Sequence, residues 1–317
     1  MSMRVYNSLN EVEEASGRNR IVAIGVFDGV HRGHRRILDK TVEKARQSGA
    51  LSAAVTFYPH PEGVLHPRSA PRMLTSLERK ASLLEALGLD ELVVVKFDLE
   101  FARLSPEAFC RLVLSDRLGA RVVLVGDNFR FGYRGAGTAA DLRDFGDAHD
   151  FEFVSVALAV EDGEPVSSTR IRRLIRAGHV VQAARLLGRP HRLQGTVVQG
   201  AGRGRTLDAP TANLEVTAGM ALPAMGVYVT RSFVDGSVAG PSVTSLGTNP
   251  TFESDRKIRV ETLLLEQGGN LYGRSLEVDL LERIRGQRAF PDAASLATRI
   301  RRDSEFARGY FETCREP

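Results

Sequence analysis

The chain has 317 residues, of which 43% are hydrophobic and 26% are charged, a balance that is typical of a folded globular protein and excludes a disordered or fibrous one. Its formal net charge of +4 is the small difference between 43 basic and 39 acidic residues, so charge alone gives no case for nucleic-acid binding. The length exceeds what one hydrophobic core usually organises and therefore predicts two domains.

Neither a membrane span nor a cysteine-based site is predicted. No stretch approaches the roughly 18 consecutive apolar residues that a membrane helix needs, and the N-terminus does not resemble a secretory signal. The two cysteines, Cys110 and Cys314, are far apart and belong to no CxxC or Cys/His cluster, which argues against a disulfide framework and a structural zinc site. We expect a cytoplasmic protein with free thiols.

In the first half, short β-branched runs alternate with helical patterns. This regular alternation of strands and helices predicts a parallel sheet with right-handed crossovers, as in a Rossmann-like α/β domain. The predicted strands are residues 21–27, 52–58, 92–97, 121–125 and 151–157, and the predicted helices are residues 35–47, 77–87, 106–118, 139–148, 168–177 and 180–187.

The pattern changes at Gly188, because the following hundred or so residues consist of strand patterns separated by Gly and Pro turns. We place the domain boundary there, with the domains at residues 1–187 and 188–317. The number and spacing of these strands predict a small closed β-barrel, with a C-terminal helix over one face. The predicted strands are residues 194–199, 226–233, 237–246, 259–265 and 275–284, and the helix is residues 292–313.

The sequence GVFDGVHRGH at residues 25–34 follows the first strand and begins the first helix. In an open parallel sheet, ligands bind beyond the carboxyl ends of the strands, where a helix N-terminus offers amides to a phosphate. Gly25 and Gly33 allow close backbone approach, while His31 and His34 are expected to add two donors one turn apart on the same helical face. For a single histidine in such a turn, a capping or packing role is the alternative, but two histidines that frame a glycine favour a phosphate site.

These residues resemble the motif of a known family. The HxGH motif after the first strand resembles that of the nucleotidyltransferase superfamily, and the longer GxFDGVHxGH form resembles the adenylyltransferase domain of bacterial bifunctional riboflavin kinase/FAD synthetases. The resemblance implies that the FMN phosphate attacks the α-phosphorus of ATP, which yields FAD and pyrophosphate. A phosphate nucleophile is already ionised near neutral pH, so positioning and charge neutralisation would dominate over general-base catalysis.

Three further motifs match that family in order: TFYPHP at residues 56–61, VGDNFRFG at residues 125–132 and VSSTRIR at residues 166–172. With the family in view, His31 and His34 are the predicted catalytic residues. The implied ATP and phosphate contacts are Gly25, Phe27, Gly33, Ser168, Thr169 and Arg172. The implied flavin contacts are Phe57, His60, Pro61 and Asn128.

The second half resembles the riboflavin kinase family. Its PTAN sequence, which follows GRGR, implies that Thr211 and Asn213 bind Mg²⁺ and that Arg203 and Arg205 contact ATP phosphates. By the same resemblance Glu261 is the base that removes the proton from the riboflavin hydroxyl, which, unlike a phosphate, needs one.

This half also departs from the family pattern. Asp208 and Ala209 replace the usual GF before PTAN, Ser245 replaces an Asn, and Leu263 replaces the common His two residues after the Glu. Three interpretations therefore remain open: a bifunctional enzyme, an FAD synthetase with a weak or inactive kinase domain, and a non-catalytic sensor of flavin or nucleotide. The first is favoured.

The prediction of a bifunctional enzyme implies a set of ligands. ATP, riboflavin and FMN are substrates, FMN and FAD are products, and Mg²⁺ is the cofactor. The predicted partners are small molecules, with no nucleic acid and no membrane, and the sequence leaves the oligomeric state open.

Overall fold

The computed structural model describes residues 2–12, 19–199, 211–248, 258–266 and 269–313. The chain divides into two compact units, residues 1–168 and residues 169–317. The two helices that we predicted at the end of the first domain are grouped with the second unit, and the boundary after residue 187 stays a prediction.

The first unit is built on a parallel sheet, as predicted. Its strands are β1 (Arg4–Tyr6), β2 (Arg20–Ile24), β3 (Leu51–Tyr58), β4 (Glu91–Lys96), β5 (Ala120–Gly126), β6 (Arg130–Phe131), β7 (Gly137–Thr138), β8 (Glu152–Val156), β9 (Val160–Glu161) and β10 (Glu164–Pro165). Its helices are α1 (Arg32–Ser48), α2 (Pro61–Leu65), α3 (Leu77–Ala86), α4 (Pro106–Phe109), which continues into a π-helical segment (Cys110–Arg117), and α5 (Ala139–Ala148).

The strand order places the predicted motifs together. Six strands pair in parallel in the order β1-β4-β3-β2-β5-β8, and the strand pairs β6-β7 and β9-β10 lie outside this sheet. From β2 the chain proceeds outward through β3 and β4, then returns to form β5 on the other side of β2. The carboxyl ends of β2 and β5 therefore flank the topological switch point, where open α/β sheets bind ligands.

Both faces of the sheet are covered by helices, as expected for parallel strands. Ile37, Leu38 and Val42 of α1 pack with Leu84 of α3 on one face. The π-helical segment and α5 cover the other face through side chains that include Val113 and Leu142. The loops that carry the motifs follow the strands at the carboxyl edge of the sheet.

The second unit contains the predicted closed barrel. Two helices precede it, α6 (Ser168–Ala177) and α7 (Val180–Leu187), and α8 (Ala293–Thr313) follows it. The barrel order is β11-β12-β15-β14-β13-β16, and β16 pairs with β11 to close it. The strands are β11 (His191–Val198), β12 (Thr211–Val216), β13 (Gly226–Val234), β14 (Ser237–Gly247), β15 (Arg259–Leu264) and β16 (Ser275–Gly286).

Helix α8 packs on the outside of β13 and β14, which confirms the predicted terminal helix. Asp303 of α8 anchors it, because this buried carboxylate accepts hydrogen bonds from Arg285 at 2.8 and 3.0 Å and pairs with Arg299 at 2.9 Å. Within the described residues, no helix is both long and apolar enough to cross a membrane.

Candidate active sites

His31 lies immediately before α1 as its N-cap. Its backbone is extended (φ −74°, ψ 171°), and its Nδ1 accepts a hydrogen bond from the backbone N–H of His34 at 3.2 Å. Ser, Thr, Asp and Asn usually fill this position, because they supply an acceptor to an otherwise unsatisfied helix amide. The structure thus differs from our expectation that both histidines share one helical face, since His31 precedes the helix.

The cap fixes the tautomer of His31. Because Nδ1 accepts a hydrogen bond, the proton of the neutral ring is on Nε2, which is therefore a donor. The rings of His31 and His34 stack with centroids 3.6 Å apart, and Phe27 contacts His34 edge-on at 5.4 Å. His31 is 4% exposed whereas His34 is partly exposed, so His34 is the more accessible imidazole.

Gly33 lies close to its neighbours. A Cβ there would lie 3.1 Å from the ring of His31 and 3.3 Å from the carbonyl oxygen of Val166. The first turn of α1 is also basic, since it contains Arg32, His34 and Arg35. Arg32 pairs with Glu161 at 2.9 Å, and cations at the positive end of a helix dipole would be stabilised by an anionic ligand.

The loop from β2 to α1 has a strained backbone. Phe27 has φ 48° and Val30 has φ 39°, values that non-glycine residues, and β-branched ones above all, rarely adopt. The buried carboxylate of Asp28 accepts hydrogen bonds from the backbone N–H groups of Leu74 (2.9 Å) and Thr75 (3.2 Å). Such strain persists only where surrounding contacts impose it, and it is concentrated at functional sites.

Sequence reasoning missed Lys80, a buried lysine of α3. Its Nζ donates to the carbonyl oxygen of Val26 at 2.7 Å and to Thr56 Oγ1 at 3.1 Å. Burial lowers the pKa of Lys80 to about 8, and the nearby negative charge of Asp28 opposes that shift. In the sequence LERKASLLEA nothing distinguishes this lysine from a surface residue of an amphipathic helix.

The residues predicted to bind flavin lie at the carboxyl ends of β3 and β5. Phe57 is 8% exposed and belongs to the core, while the neighbouring Tyr58 is 50% exposed. His60 caps α2, where its Nδ1 accepts from the N–H of Glu62 at 3.2 Å and Pro61 occupies the first turn. Asn128 is exposed after β5, next to the switch point.

A cluster of phenylalanines lies beside these residues. The rings of Phe57, Phe97 and Phe101 are in mutual contact with centroids 5.7 to 6.0 Å apart. The contacts continue from Phe101 to Phe109 at 6.2 Å and from there to Phe131 at 5.6 Å. Phe97 and Phe101 are only partly buried, so the cluster offers an apolar surface at this edge of the sheet.

The VSSTRIR motif meets the first loop through Ser168. Its hydroxyl donates to the carbonyl oxygen of Asp28 at 2.9 Å, and the carbonyl of Val166 lies against Gly33. Thr169 is exposed and Arg172 is partly exposed, and both continue along α6 in the second unit. Two motifs that are about 140 residues apart in the sequence are therefore in contact.

In the barrel, register places Glu261 between two of the residues that we singled out. On β12 its partner is Asn213, and on β14 its partner is Ser245. Residues directly opposite each other in an antiparallel pair lie on the same face, within reach of each other's side chains. Ala212 and Val260 belong to the barrel core, so Asn213 and Glu261 lie on the other face of these strands.

Thr211 is opposite Leu263, which places the substituted position directly beside the PTAN threonine. Thr211 and Asn213 are two residues apart on one strand and so share the face of Glu261. Hydroxyl, amide and carboxylate oxygens are the donors that a hard cation such as Mg²⁺ prefers. Arg203, Arg205, Asp208 and Ala209 lie outside the described residues.

Cys110 is a free thiol, as predicted. It is fully buried under the sheet, and burial raises the pKa of its thiol to about 12, which makes it unreactive at neutral pH. Cys314 lies outside the described residues.

Two family models match the chain, one for each half. The FAD synthetase model matches residues 13–170, and the riboflavin kinase model matches residues 187–311. The bifunctional riboflavin kinase/FMN adenylyltransferase of Listeria monocytogenes is 34% identical over 94% of this chain and 95% of its own. Those of Escherichia coli K12 and Pseudomonas fluorescens are 33% and 37% identical, over 98% and 92% of this chain and 98% and 93% of their own lengths.

A solved structure has the same fold over nearly the whole length. The crystal structure of a protein from Streptococcus pneumoniae, described as a macrolide-efflux protein, superposes with a TM-score of 0.87 at 28% identity and covers 97% of this chain and 99% of its own. The family resemblance seen in the motifs is therefore confirmed by whole-chain comparisons.

Proposed function

This chain belongs to the family of bifunctional riboflavin kinase/FMN adenylyltransferases, and from that membership we propose which of its residues perform each reaction. The enzyme makes FAD in two steps, each of which uses ATP. It phosphorylates riboflavin to FMN and then adenylylates FMN to FAD.

We assign adenylyl transfer to the carboxyl edge of the parallel sheet. A phosphate oxygen of FMN attacks the α-phosphorus of ATP, the bond from that phosphorus to the bridging oxygen breaks, and pyrophosphate leaves. The basic, glycine-containing start of α1 supports this assignment, because amides and imidazoles there would neutralise the charge that develops on the phosphoryl oxygens. His34 is the accessible donor, and His31 donates through Nε2 while Nδ1 holds the helix amide.

The flavin would lie along the same edge. The partly exposed Phe97 and Phe101 and the exposed Asn128 support a site that combines an apolar surface with one polar group, which is the usual composition of a small-molecule pocket. Ser168, Thr169 and Arg172 are our proposed contacts for the leaving pyrophosphate.

We assign riboflavin phosphorylation to the face of the barrel that carries Glu261. Its carboxylate takes the proton of the 5′-hydroxyl as that oxygen attacks the γ-phosphorus of ATP, and ADP leaves. The observation that carries this assignment is the register, which places Asn213 of the PTAN motif directly opposite Glu261.

Mg²⁺ fits this face of the barrel. Thr211 and Asn213 would hold it, and it would supply charge neutralisation at the ATP phosphates. Among the residues that the structure describes, no group of three or more His, Cys, Asp or Glu is arranged to hold a metal ion. The two oxygen donors of Thr211 and Asn213 suit a cation that takes most of its ligands from phosphate and water.

The test is to incubate the purified enzyme with Mg-ATP and either riboflavin or FMN and to separate the flavins by chromatography. Glu261→Gln should lower the rate of FMN formation by roughly 100-fold or more, because a general base typically contributes at least that factor. FAD formation from added FMN should be unchanged. The matched control is Glu266→Gln, which alters an exposed carboxylate just beyond the end of the same strand and should leave both rates unchanged.

Loss of both activities in Glu261→Gln would refute the division of labour between the units. If the wild-type enzyme made FAD from FMN but nothing from riboflavin, the substitutions at Ser245, Leu263 and the two positions before PTAN would have abolished the kinase.

We also propose that the enzyme acts in the cytoplasm on small-molecule substrates.

A further inference from the structure

The buried contacts of Lys80 join three parts of the first unit. Its Nζ, the carbonyl oxygen of Val26 and the hydroxyl of Thr56 form a triangle of hydrogen bonds of 2.7 Å, 2.9 Å and 3.1 Å. The lysine comes from α3, the threonine from the end of β3 and the carbonyl from the loop after β2. Lys80 is 1% exposed, and a lysine is rarely buried so completely unless its charge has partners.

The loop that this triangle holds is the strained one. Val26 precedes Phe27, whose backbone has φ 48°, and the chain then runs through Val30, at φ 39°, to His31. Beyond Val26 the loop is held at Asp28 and at Gly29, whose N–H donates to Thr75 Oγ1 at 3.1 Å. Lys80 therefore holds the first part of this loop, and the loop ends at His31, the N-cap of α1.

The charge of Lys80 acts on the same loop that has the strained backbone. Asp28, with a side chain that is 1% exposed, is the charged group that acts on the lysine. The Val26 carbonyl oxygen uses both of its lone pairs, because it accepts from the Thr56 hydroxyl and from the Lys80 ammonium group. The buried charge therefore holds the strained loop from the side of α3.

We propose that Lys80 is a positioning residue for adenylyl transfer: its ammonium group holds the Val26 carbonyl and so keeps the strained loop in the conformation that presents His31 and His34. The proposal rests on the proposed assignment of adenylyl transfer to this edge of the sheet. Lys80 acts through the loop and makes no contact with the reacting phosphates.

The experiment compares both activities in one preparation of the full-length protein. Lys80→Met keeps a long unbranched side chain but removes the charge and the donors. We expect the kcat of FAD formation from FMN and Mg-ATP to fall about 100-fold, because small displacements of positioned groups have effects of that size. The KM values for ATP and FMN should stay within about threefold, since the loss is in the transition state.

Two internal comparisons accompany this variant. Riboflavin phosphorylation by the second unit should be unchanged, which shows that the preparation is intact. Lys44→Met removes an ammonium group of α1 whose partner is the exposed Glu152 at 3.0 Å, and it should leave both activities unchanged because surface ion pairs contribute little.

A second variant keeps the proposal testable if Lys80→Met does not fold. Thr56→Val preserves the shape of the side chain and removes one corner of the triangle, and it should lower the same kcat by about tenfold, as expected for one lost hydrogen bond. In the double variant, the loss should be less than the product of the two single losses, because the groups act on one carbonyl.

Wild-type kcat in either folded variant, or a change confined to KM, would overturn the role of Lys80. If instead the wild-type enzyme formed no FAD from FMN, the assignment of adenylyl transfer itself would fail. The two failures are thus distinguishable in the same set of assays.

Discussion

At the scale of single residues, His31 combines a structural task with a chemical one. Its Nδ1 caps α1, while its Nε2 carries the proton that we propose is donated to phosphate. His31→Asn separates the two tasks, because asparagine is among the best N-cap residues and has no imidazole. We predict that His31→Asn keeps the cap, so that it is more stable than His31→Ala, but lowers the kcat of FAD formation by roughly 100-fold or more, as for loss of one preorganised donor.

The comparison variant is His31→Ala, which should lose the same kcat and, in addition, about 1 kcal/mol of stability with the cap. Thermal unfolding followed by circular dichroism and the FAD assay measure the two effects. Near-wild-type kcat in His31→Asn would mean that His31 is only a cap and that His34 carries the phosphate contact.

The shifted pKa of Lys80 predicts a pH dependence of stability. Its pKa is about 8 in the folded protein, below the ordinary value of 10.5. Below pH 8 the lysine is protonated in both the folded and the unfolded protein, so burial of its charge fully destabilises the folded state. Between about pH 8 and 10.5 the folded state loses the proton while the unfolded state keeps it, so this residue makes the free energy of unfolding increase with pH, by on the order of 3 kcal/mol in all.

The measurement is urea unfolding of wild type and Lys80→Met at pH 7.5 and pH 9.5. The difference in unfolding free energy between the two proteins should shift in favour of the wild type at the higher pH. An equal difference at both pH values would show that Lys80 does not titrate in this range.

The sequence singled out candidate residues for the two sites, whose roles stay predictions, but not the contacts that position them. The glycines and histidines of the first loop could be singled out because their types and spacing are those expected for phosphate binding at a helix N-terminus. Lys80 could not, since its burial depends on how α3 packs against β3 and the loop. The flavin contact that we predicted for Phe57 stays a prediction, and the neighbouring Tyr58 is far more exposed.

At the scale of elements, boundaries could be predicted where local capping determines them. Helix α5 begins after Thr138, which forms a capping box with Asp141, and α7 ends at Gly188 in the left-handed conformation. The bounds of both helices agree with the sequence prediction. By contrast, β1 and β12 were missed. Strand β1 has only three residues and is stabilised by pairing with β4. Strand β12 does alternate polar and apolar residues, and this pattern was overlooked beside the PTAN motif.

The segment after Pro106 shows a related limit. The periodicity predicts one helix over residues 106–118, but the structure has a short α4 followed by the π-helical segment. Both forms place apolar side chains under the sheet, and the sequence pattern does not distinguish between their hydrogen-bonding registers.

At the scale of the whole molecule, the position of α7 bears on where the domains divide. The change of pattern at Gly188 predicts a boundary after this helix, yet α7 packs against β11 and β16, and its Val180 belongs to the barrel core. The buried side chains of α7 are Val180, Ala183, Leu186 and Leu187. Burial of each valine or leucine side chain contributes about 1.5 to 3 kcal/mol, so the helix is a substantial part of the barrel's stability.

This packing yields a prediction with two fragments that differ only in the segment 178–187. The fragment 178–317 should be more stable to urea than 188–317 by roughly 3 to 6 kcal/mol, because the shorter one exposes the surface of β11 and β16 that α7 covers. Riboflavin phosphorylation, assayed well below both unfolding midpoints, should persist in the longer fragment. Equal stabilities would place the boundary after residue 187 and make α7 part of the adenylyltransferase domain, whereas the expected difference makes the helix an integral layer of the kinase barrel.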